Sequence, residues 1–446
     1  MAKGKKKEAL SLEEKLERAL VPVEEQPYEV PENWCWTKIG NIANFHQGLQ
    51  VPVEQQYEDE NEERIRFIRI IDYTQGNEPP RYISKKNISS DVIVCEDDIV
   101  MVRYGNVGHI GDGISGVIAN NMFTIKVDDC IREYVRCFLK NPLTKERLQQ
   151  KSSSTTMPAV NFKTLNEIDI PLPPLAEQQR IVKQIESLFA KLDEAKEKIQ
   201  ITIEQAEKIK TSVLQEAFNG NLTKVWRKEN HYSDNEWESV TLGDVLSPVK
   251  DKYDPTCDDK LDIPYIGLEH IEKGKGICSH GSPEEVKSLK TLFKKGDLLY
   301  GKLRPYLNKH DVATFDGMCS TDILVYRAED ITTAKYMNYM LGTIDFMEYA
   351  VENSSGINLP RTSEKAISAY KMKISNVDEQ AEVVRILENI LNKQDDVISN
   401  CENVLEQVEL MKKSILAKAF RGELGTNNPA EENAVELLKS ILGQEE

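Results

Sequence analysis

Glu177-Gln178-Gln179-Arg180-Ile181-Val182 opens a stretch that closes on Ala217-Phe218-Asn219-Gly220-Asn221-Leu222, and the chain contains it twice. Glu177-Gln178 returns as Glu379-Gln380, an offset of 202 positions. In the same register Lys191 matches Lys393, Asp193 matches Asp395, Glu204-Gln205 matches Glu406-Gln407, and Ala217-Phe218-x-Gly220-x-Leu222 matches Ala419-Phe420-x-Gly422-x-Leu424. An ungapped match of that length is an internal repeat of long period. In the first copy Ile181, Ile185, Leu188, Leu192, Ala195, Ile199, Thr202, Ala206, Ile209 and Val213 step alternately by four and three; the second gives Val383, Leu387, Ile390, Gln394, Val397, Cys401, Val404, Val408, Met411 and Ile415. That alternation is a coiled-coil seam. Each copy is therefore predicted to be a helical rod of roughly 60 Å, ending at Gly220 or Gly422, which suit a left-handed C-cap. The economical partner of each rod is the other, with Ile185, Leu188, Leu192 and Ile199 set against Leu387, Ile390, Val397 and Val404. Thr202 and Gln394 in the seam are expected to fix register at some cost in stability. Equivalent helices pairing antiparallel would place a domain at either end about a pseudo-twofold axis, the local symmetry of duplex DNA.

Outward from the rods, the flanking segments also correspond. Trp34 through Ile39-Gly40-x-Ile42 resembles Trp237 through Leu242-Gly243-x-Val245; Phe67-Ile68-x-Ile70 resembles Tyr265-Ile266-x-Leu268; Asp98-Ile99-Val100 resembles Asp297-Leu298-Leu299. Both segments carry short β-type runs punctuated by Gly and Asn, with a helix after the last long strand. The expected fold class is α+β: two similar domains with mostly antiparallel sheets, separated by two long antiparallel coiled-coil helices, pseudo-twofold symmetric. In chain order this gives an N-terminal helical segment (residues 1–29), a first domain (30–175), a first helix (176–222), a second domain (223–378), a second helix (379–424) and a helical tail (425–446). The amphipathic ends, 8–20 and 430–442, are expected to pack together or on a partner.

Composition narrows the function. Among 446 residues, 57 Lys and Arg face 74 Asp and Glu, for a net charge of -17. That excludes a uniformly basic DNA coat but not a local basic surface. No apolar run approaches the ~20 residues that cross a bilayer. Eight cysteines without a C-x-x-C pair read as reduced thiols of a cytoplasmic protein. No P-loop, dinucleotide fingerprint or paired metal-binding histidine occurs, so no catalytic, cofactor-binding or metal residue is assigned. What the domains offer instead is loops that mix basic, aromatic and amide side chains. Arg and Lys neutralise phosphates, Arg, Asn and Gln read base edges, and Tyr stacks. The candidate DNA contacts are Gln47, Arg81, Lys85, Lys86, Arg103, Tyr104, Asn106, Ser153 and Thr155 in the first domain. In the second they are His270, Lys273, Lys302, Arg304, Tyr306, Lys309, Ser355, Asn358 and Arg361.

The run Ile170-Pro171-Leu172-Pro173-Pro174-Leu175-Ala176-Glu177-Gln178-Gln179-Arg180-Ile181-Val182, leading to Ala217-Phe218-x-Gly220-x-Leu222, closely resembles the central region of specificity subunits of bacterial type I restriction–modification systems. Val30-Pro31-x-x-Trp34-x-Trp36 looks like the start of their target recognition domains, and Trp237–Val245 fits a second start. The second copy departs from the pattern: Lys373-Ile374-Ser375-Asn376-Val377-Asp378 lacks the proline run, and its helix start is expected to be less rigid. The resemblance implies that each domain reads half of a bipartite sequence in double-stranded DNA. It implies that the helices set the gap and hold two modification subunits, that those subunits bring S-adenosylmethionine and methylate adenines, and that restriction/translocase subunits can join. On that reading the chain is non-catalytic. The competing reading is a coiled-coil adaptor whose globular domains bind proteins.

Overall fold

The computed structural model describes residues 11–76, 78–151, 159–233, 237–256, 259, 261–330 and 332–444. Two compact units result, Met1–Glu197 with Leu405–Glu446, and Lys198–Val404. They are built on one plan.

In the first unit the strand entering the domain, Cys35–Lys38, pairs antiparallel with the strand leaving it, Asp169–Leu172. Between them lie two four-stranded sheets. One is antiparallel, in the order Ala43–Gln47, Met122–Val127, Ile99–Val102, Ile110–Gly111. The other runs Arg81–Ser84, Arg64–Ile68, Gly116–Ile118, Ile93–Val94, with one parallel pair, Arg64–Ile68 beside Gly116–Ile118. Ile99–Val102 is an unbroken apolar run because both of its faces are covered. Successive side chains of a strand point to opposite sides, so Ile99 and Met101 join the core of Phe123, Tyr134 and Phe138, while Val100 and Val102 join that of Phe67 and Ile118. Each such side chain contributes about 1.5–3 kcal/mol relative to exposure.

The second unit repeats this. Glu238–Thr241 pairs with Lys371–Ile374. One sheet runs Leu246–Pro248, Ile323–Ala328, Leu298–Gly301, His310–Val312; the other runs Lys252–Tyr253, Lys290–Phe293, Gly317–Cys319, Tyr265–Ile266, again with one parallel pair. Leu298 and Tyr300 enter one core and Leu299 the other. The helix Leu12–Ala19, started by a Ser11–Glu14 capping box, packs on Ala434–Gly443 in the first unit. Among the described residues no helix is long and apolar enough to cross a membrane.

The repeated stretches form helices over Leu175–Phe218 and Val377–Ala419. Both end as their glycines dictate. Gly220 and Gly422 take φ of +76° and +74°, and the next amides, of Asn221 and Glu423, bond back to Glu216 and Lys418. The helices pair antiparallel. In the first unit Lys412 Nζ lies 2.5 Å from Asp193, and Lys196 Nζ lies 2.9 Å from Glu409. In the second Lys210 Nζ lies 2.8 Å from Asp395. Asp193–Lys412 and Asp395–Lys210 occupy equivalent positions of the two copies, so one contact is made twice.

The seam departs from a strict heptad. Ile185 and Leu387 are buried, and Leu188, Leu192, Ile199 and Ile390 are half-buried. Beyond them every other seam position moves on by one residue, while Ala206, Val213 and Val408 stay buried. Val397 and Val404, read as seam positions from the sequence, are exposed, and Ile398 and Leu405 take their place; Thr202 and Ile209 likewise yield to Ile203 and Lys210. The cause is the helical period. A helix of 3.6 residues per turn drifts about 20° per heptad from a 3.5 repeat. Two successive steps of four, Ala195–Ile199–Ile203 and Ile390–Gln394–Ile398, absorb the drift.

Candidate nucleic-acid interface

A buried carboxylate positions each domain. Glu177 sits in the first turn of its helix, where the helix dipole favours negative charge. It accepts hydrogen bonds from Trp34 Nε1 (2.8 Å), Asn427 Nδ2 (2.9 Å) and Thr426 Oγ1 (3.2 Å). Three separate segments thus meet at one side chain: the start of the domain, the start of one helix and the segment that follows the other. Glu379 does the same in the second unit, with Trp237 Nε1 (3.2 Å), Thr223 Oγ1 (2.5 Å) and the Arg227 guanidinium. The adjacent glutamines fix the turn before the helix: Gln178 Nε2 donates to Pro173 O at 2.9 Å and Gln380 Nε2 to Ser375 O at 2.8 Å. The side-chain bond is the same whether or not prolines precede the helix, so the second start keeps the geometry that its missing proline run put in question.

On this frame each unit carries the same loop pair. After Ile99–Val102, the Arg103 amide bonds to Asn121 O (2.9 Å), Val160 N bonds to Arg103 O (2.9 Å), and Tyr104 bridges Ala159. After Leu298–Gly301, Lys302 N bonds to Asp322 O (2.9 Å), Thr362 N bonds to Lys302 O (2.9 Å), and Leu303 bridges Arg361. Arg304 N adds a 2.7 Å bond to Pro360 O. The two predicted loops of the second unit, around Arg304 and around Asn358, are therefore one surface. Lys309 Nζ joins it to the segment before His270 through Leu268 O, at 2.7 Å.

The predicted contact residues differ in how free they are. Arg81 pairs with the exposed Glu58 at 2.6 Å, and the exposed Lys85 donates to the main-chain oxygen of Glu62 at 2.8 Å. Gln47 bonds to Asn120 O, Asn106 accepts from Lys145 at 3.2 Å, and His270 Nδ1 accepts from Gly267 N. Arg361 pairs with Asp322 at 3.0 Å. Exposed ion pairs of this kind are worth about 0–1 kcal/mol and yield to a phosphate at little cost. Arg103 lies over the Phe123 ring, and its buried Nε finds no partner among the described residues. Tyr104 is half-buried and Lys86 exposed. Lys273 is at the exposed tip of the hairpin formed by Ile271–Glu272 and Gly276–Ile277. Ser153 and Thr155 lie outside the described residues. Ser355 is committed through its backbone to Arg361. Lys302, Arg304, Tyr306 and Asn358 carry side chains without a hydrogen bond or ion pair to any described residue, and they share the one surface. Lys145 was not among the loop residues because it stands on a helix, Pro142–Gln150. No cluster of His, Cys, Asp or Glu suited to a metal occurs among the described residues.

Arg304 has φ 53° and ψ 64°, the left-handed region; its counterpart in the first unit is Gly105, at φ +85°. A non-glycine residue there costs about 1–2 kcal/mol. Arg304→Gly should therefore raise the unfolding free energy of the second unit by about 1 kcal/mol, measured by urea titration. An unchanged or lower midpoint would show that the guanidinium stabilises the turn.

Comparison with known proteins places these features. The family described as type I restriction modification DNA specificity domain matches residues 31–205 and again 234–407, the two repeats. The EcoDI specificity subunit of Escherichia coli is 29% identical over 67% of this chain and 74% of its own length. The EcoKI specificity subunit of Escherichia coli K12 is 22% identical over 93% and 96%. The MjaVIII specificity subunit of Methanocaldococcus jannaschii is 24% identical over 90% and 95%. A chain solved in work on complex assembly and conformational transition of the type I R-M system shares the fold, with a TM-score of 0.69, 17% identity, and coverage of 89% of this chain and 100% of that one. The HsdS subunit of Thermoanaerobacter tengcongensis gives a TM-score of 0.54 at 17% identity over 90% and 100%. A chain with two matching specificity domains, each followed by a copy of one helix and each tied to it by the same buried glutamate, belongs to the type I restriction–modification DNA specificity family.

Proposed function

We propose that this chain reads the target of a type I restriction–modification complex, each unit reading one half of a bipartite sequence in double-stranded DNA. The helices set the unread gap and dock two modification subunits, which supply S-adenosylmethionine and the methyl transfer. Restriction/translocase subunits join the same assembly. The chain holds no catalytic role. The observation that carries this reading is the double match of the DNA specificity domain to repeats that share a frame and differ in their reading loops. An adaptor for protein partners has no corresponding support.

The acidic total fits shared labour. With a net charge of -17 on the chain, the modification subunits supply much of the phosphate neutralisation, and the isolated chain binds DNA weakly. The test is sequencing of methylated adenines in cells carrying the chain with its modification subunit. Methylation at one bipartite motif is expected, and equal affinity of the complex for all duplexes would overturn the reading. Exchanging residues 30–175 for another recognition domain should change one half of the motif and leave the other; a change in both halves would show that the units do not read independently.

A further inference from the structure

We propose that Ile357 is a specificity-determining residue of the second unit, contacting the 5-methyl group of a thymine in the major groove. The inference rests on the reading above and names a contact within it. Ile357 is 101% exposed, the most exposed large apolar side chain among the described residues, and neighbouring Leu359 is 55% exposed. A β-branched residue fully in water contributes nothing to folding, yet this one is not on a frayed segment. Ser355 and Arg361 exchange both backbone hydrogen bonds, at 3.0 and 2.9 Å, and close the tip that spans 356–360. Gly356, at φ +100°, supplies the turn, and Pro360 removes one backbone freedom. The base of the tip is bridged to Leu303 and bonded to Arg304. The apolar side chain is thus presented by a pre-ordered loop, and ordering it on binding costs little.

Its surroundings select the partner. The tip itself is uncharged, and Lys302, Arg304 and Arg361 stand beside it; of the nearby carboxylates, Asp322 is engaged by Arg361 and Glu364, which lines one cavity with Lys302, by Lys250 at 3.7 Å. An apolar point ringed by cations suits a polyanion that displays a methyl group, and in a duplex groove that group is thymine C5-methyl. Asn358, next along the tip, has an amide that can pair with an adenine edge. The corresponding stretch of the first copy's sequence reads Thr155-Thr156-Met157-Pro158 in place of Ile357-Asn358-Leu359-Pro360, so the two sequences differ in chemistry at this point.

The experiment uses the full chain in complex with its modification subunit and a duplex carrying the motif mapped by adenine-methylation sequencing. Each thymine of the motif is replaced in turn by deoxyuridine, which removes only the methyl. One replacement should weaken wild-type binding about fourfold, the worth of one buried methyl. Ile357→Ala should bind the thymine duplex about fourfold more weakly, be indifferent to that one replacement, and keep the wild-type melting temperature because its side chain packs on nothing. The proposal is overturned if no replacement matters while the motif is still preferred, or if the variant loses as much on the deoxyuridine duplex as the wild type does. Failure of the wild-type complex to prefer its motif over a scrambled duplex would overturn the underlying reading instead.

Discussion

Glu379→Ala should destabilise the second unit by about 3–5 kcal/mol, the cost of leaving a buried charge without its partner. Arg227 is buried and its guanidinium is committed to Glu379, to Thr223 and to Gly220 O at 2.6 Å. The truncation also strips an acceptor from Trp237 and Thr223. The equivalent residue gives a contrast. Glu177 is equally buried, but its hydrogen-bond donors, Trp34, Thr426 and Asn427, are all neutral. Replacement by Gln preserves shape and removes charge, so Glu177→Gln should cost about 1–2 kcal/mol and Glu379→Gln should cost more, because only the second strands a cation. Urea unfolding of both variants decides the point. Equal losses would mean that Arg227 finds solvent or another carboxylate. Losses of this size consume a large part of the 5–15 kcal/mol that hold a typical domain together, so reduced methylation in cells is expected to accompany Glu379→Ala.

The second large effect concerns the paired helices. Inserting seven residues into Leu175–Phe218 alone, after Lys196, leaves Asp193–Lys412 intact but moves Lys210 about 10 Å along its rod relative to Asp395. The contact made once in each unit can then be made only in one. Loss of methylation at the native motif is expected. Matching insertions in both helices restore the equivalence, and on the proposed function they lengthen the unread gap by about three base pairs, at 3.4 Å each. Methylome sequencing of the two strains tests this. An unchanged gap with matched insertions would show that the helices do not set it. Seven added residues turn the helix face by only about 20°, against about 40° for a four-residue insertion.

The repeat and the helices were legible because they are written in periodicity. Identities at a fixed offset and a four-three step survive without knowledge of neighbours, and Gly220 and Gly422 mark the ends by their backbone freedom. The drift of the seam was not legible. Val397 and Ile398 are both β-branched and apolar, as are Thr202 and Ile203 at least in branching, and the choice between them depends on accumulated twist, a property of the whole rod. The sheets were legible as strands but not in their order. Ile99–Val102 reads as a buried strand, yet nothing in it names Met122–Val127 as its neighbour. Among the candidate contacts, residue chemistry singled out Lys302, Arg304, Tyr306 and Asn358, whose side chains make no hydrogen bond or ion pair to any described residue. The same chemistry selected Arg81, whose pairing with Glu58 is a tertiary fact that the sequence does not display. It passed over Ile357, since an apolar residue in a loop looks like one that ought to be covered.

The doubled ion pair has a genetic consequence. Asp193 meets Lys412 as Asp395 meets Lys210, so one helix sequence contains both halves of its own partner's code. A gene cut back to a single unit and a single helix would encode a self-complementary product. Two such molecules would associate through an isologous contact, and a protein assembled that way could recognise only a palindrome. Joining the copies in one reading frame frees the two halves to diverge, and with them the two halves of the word they recognise.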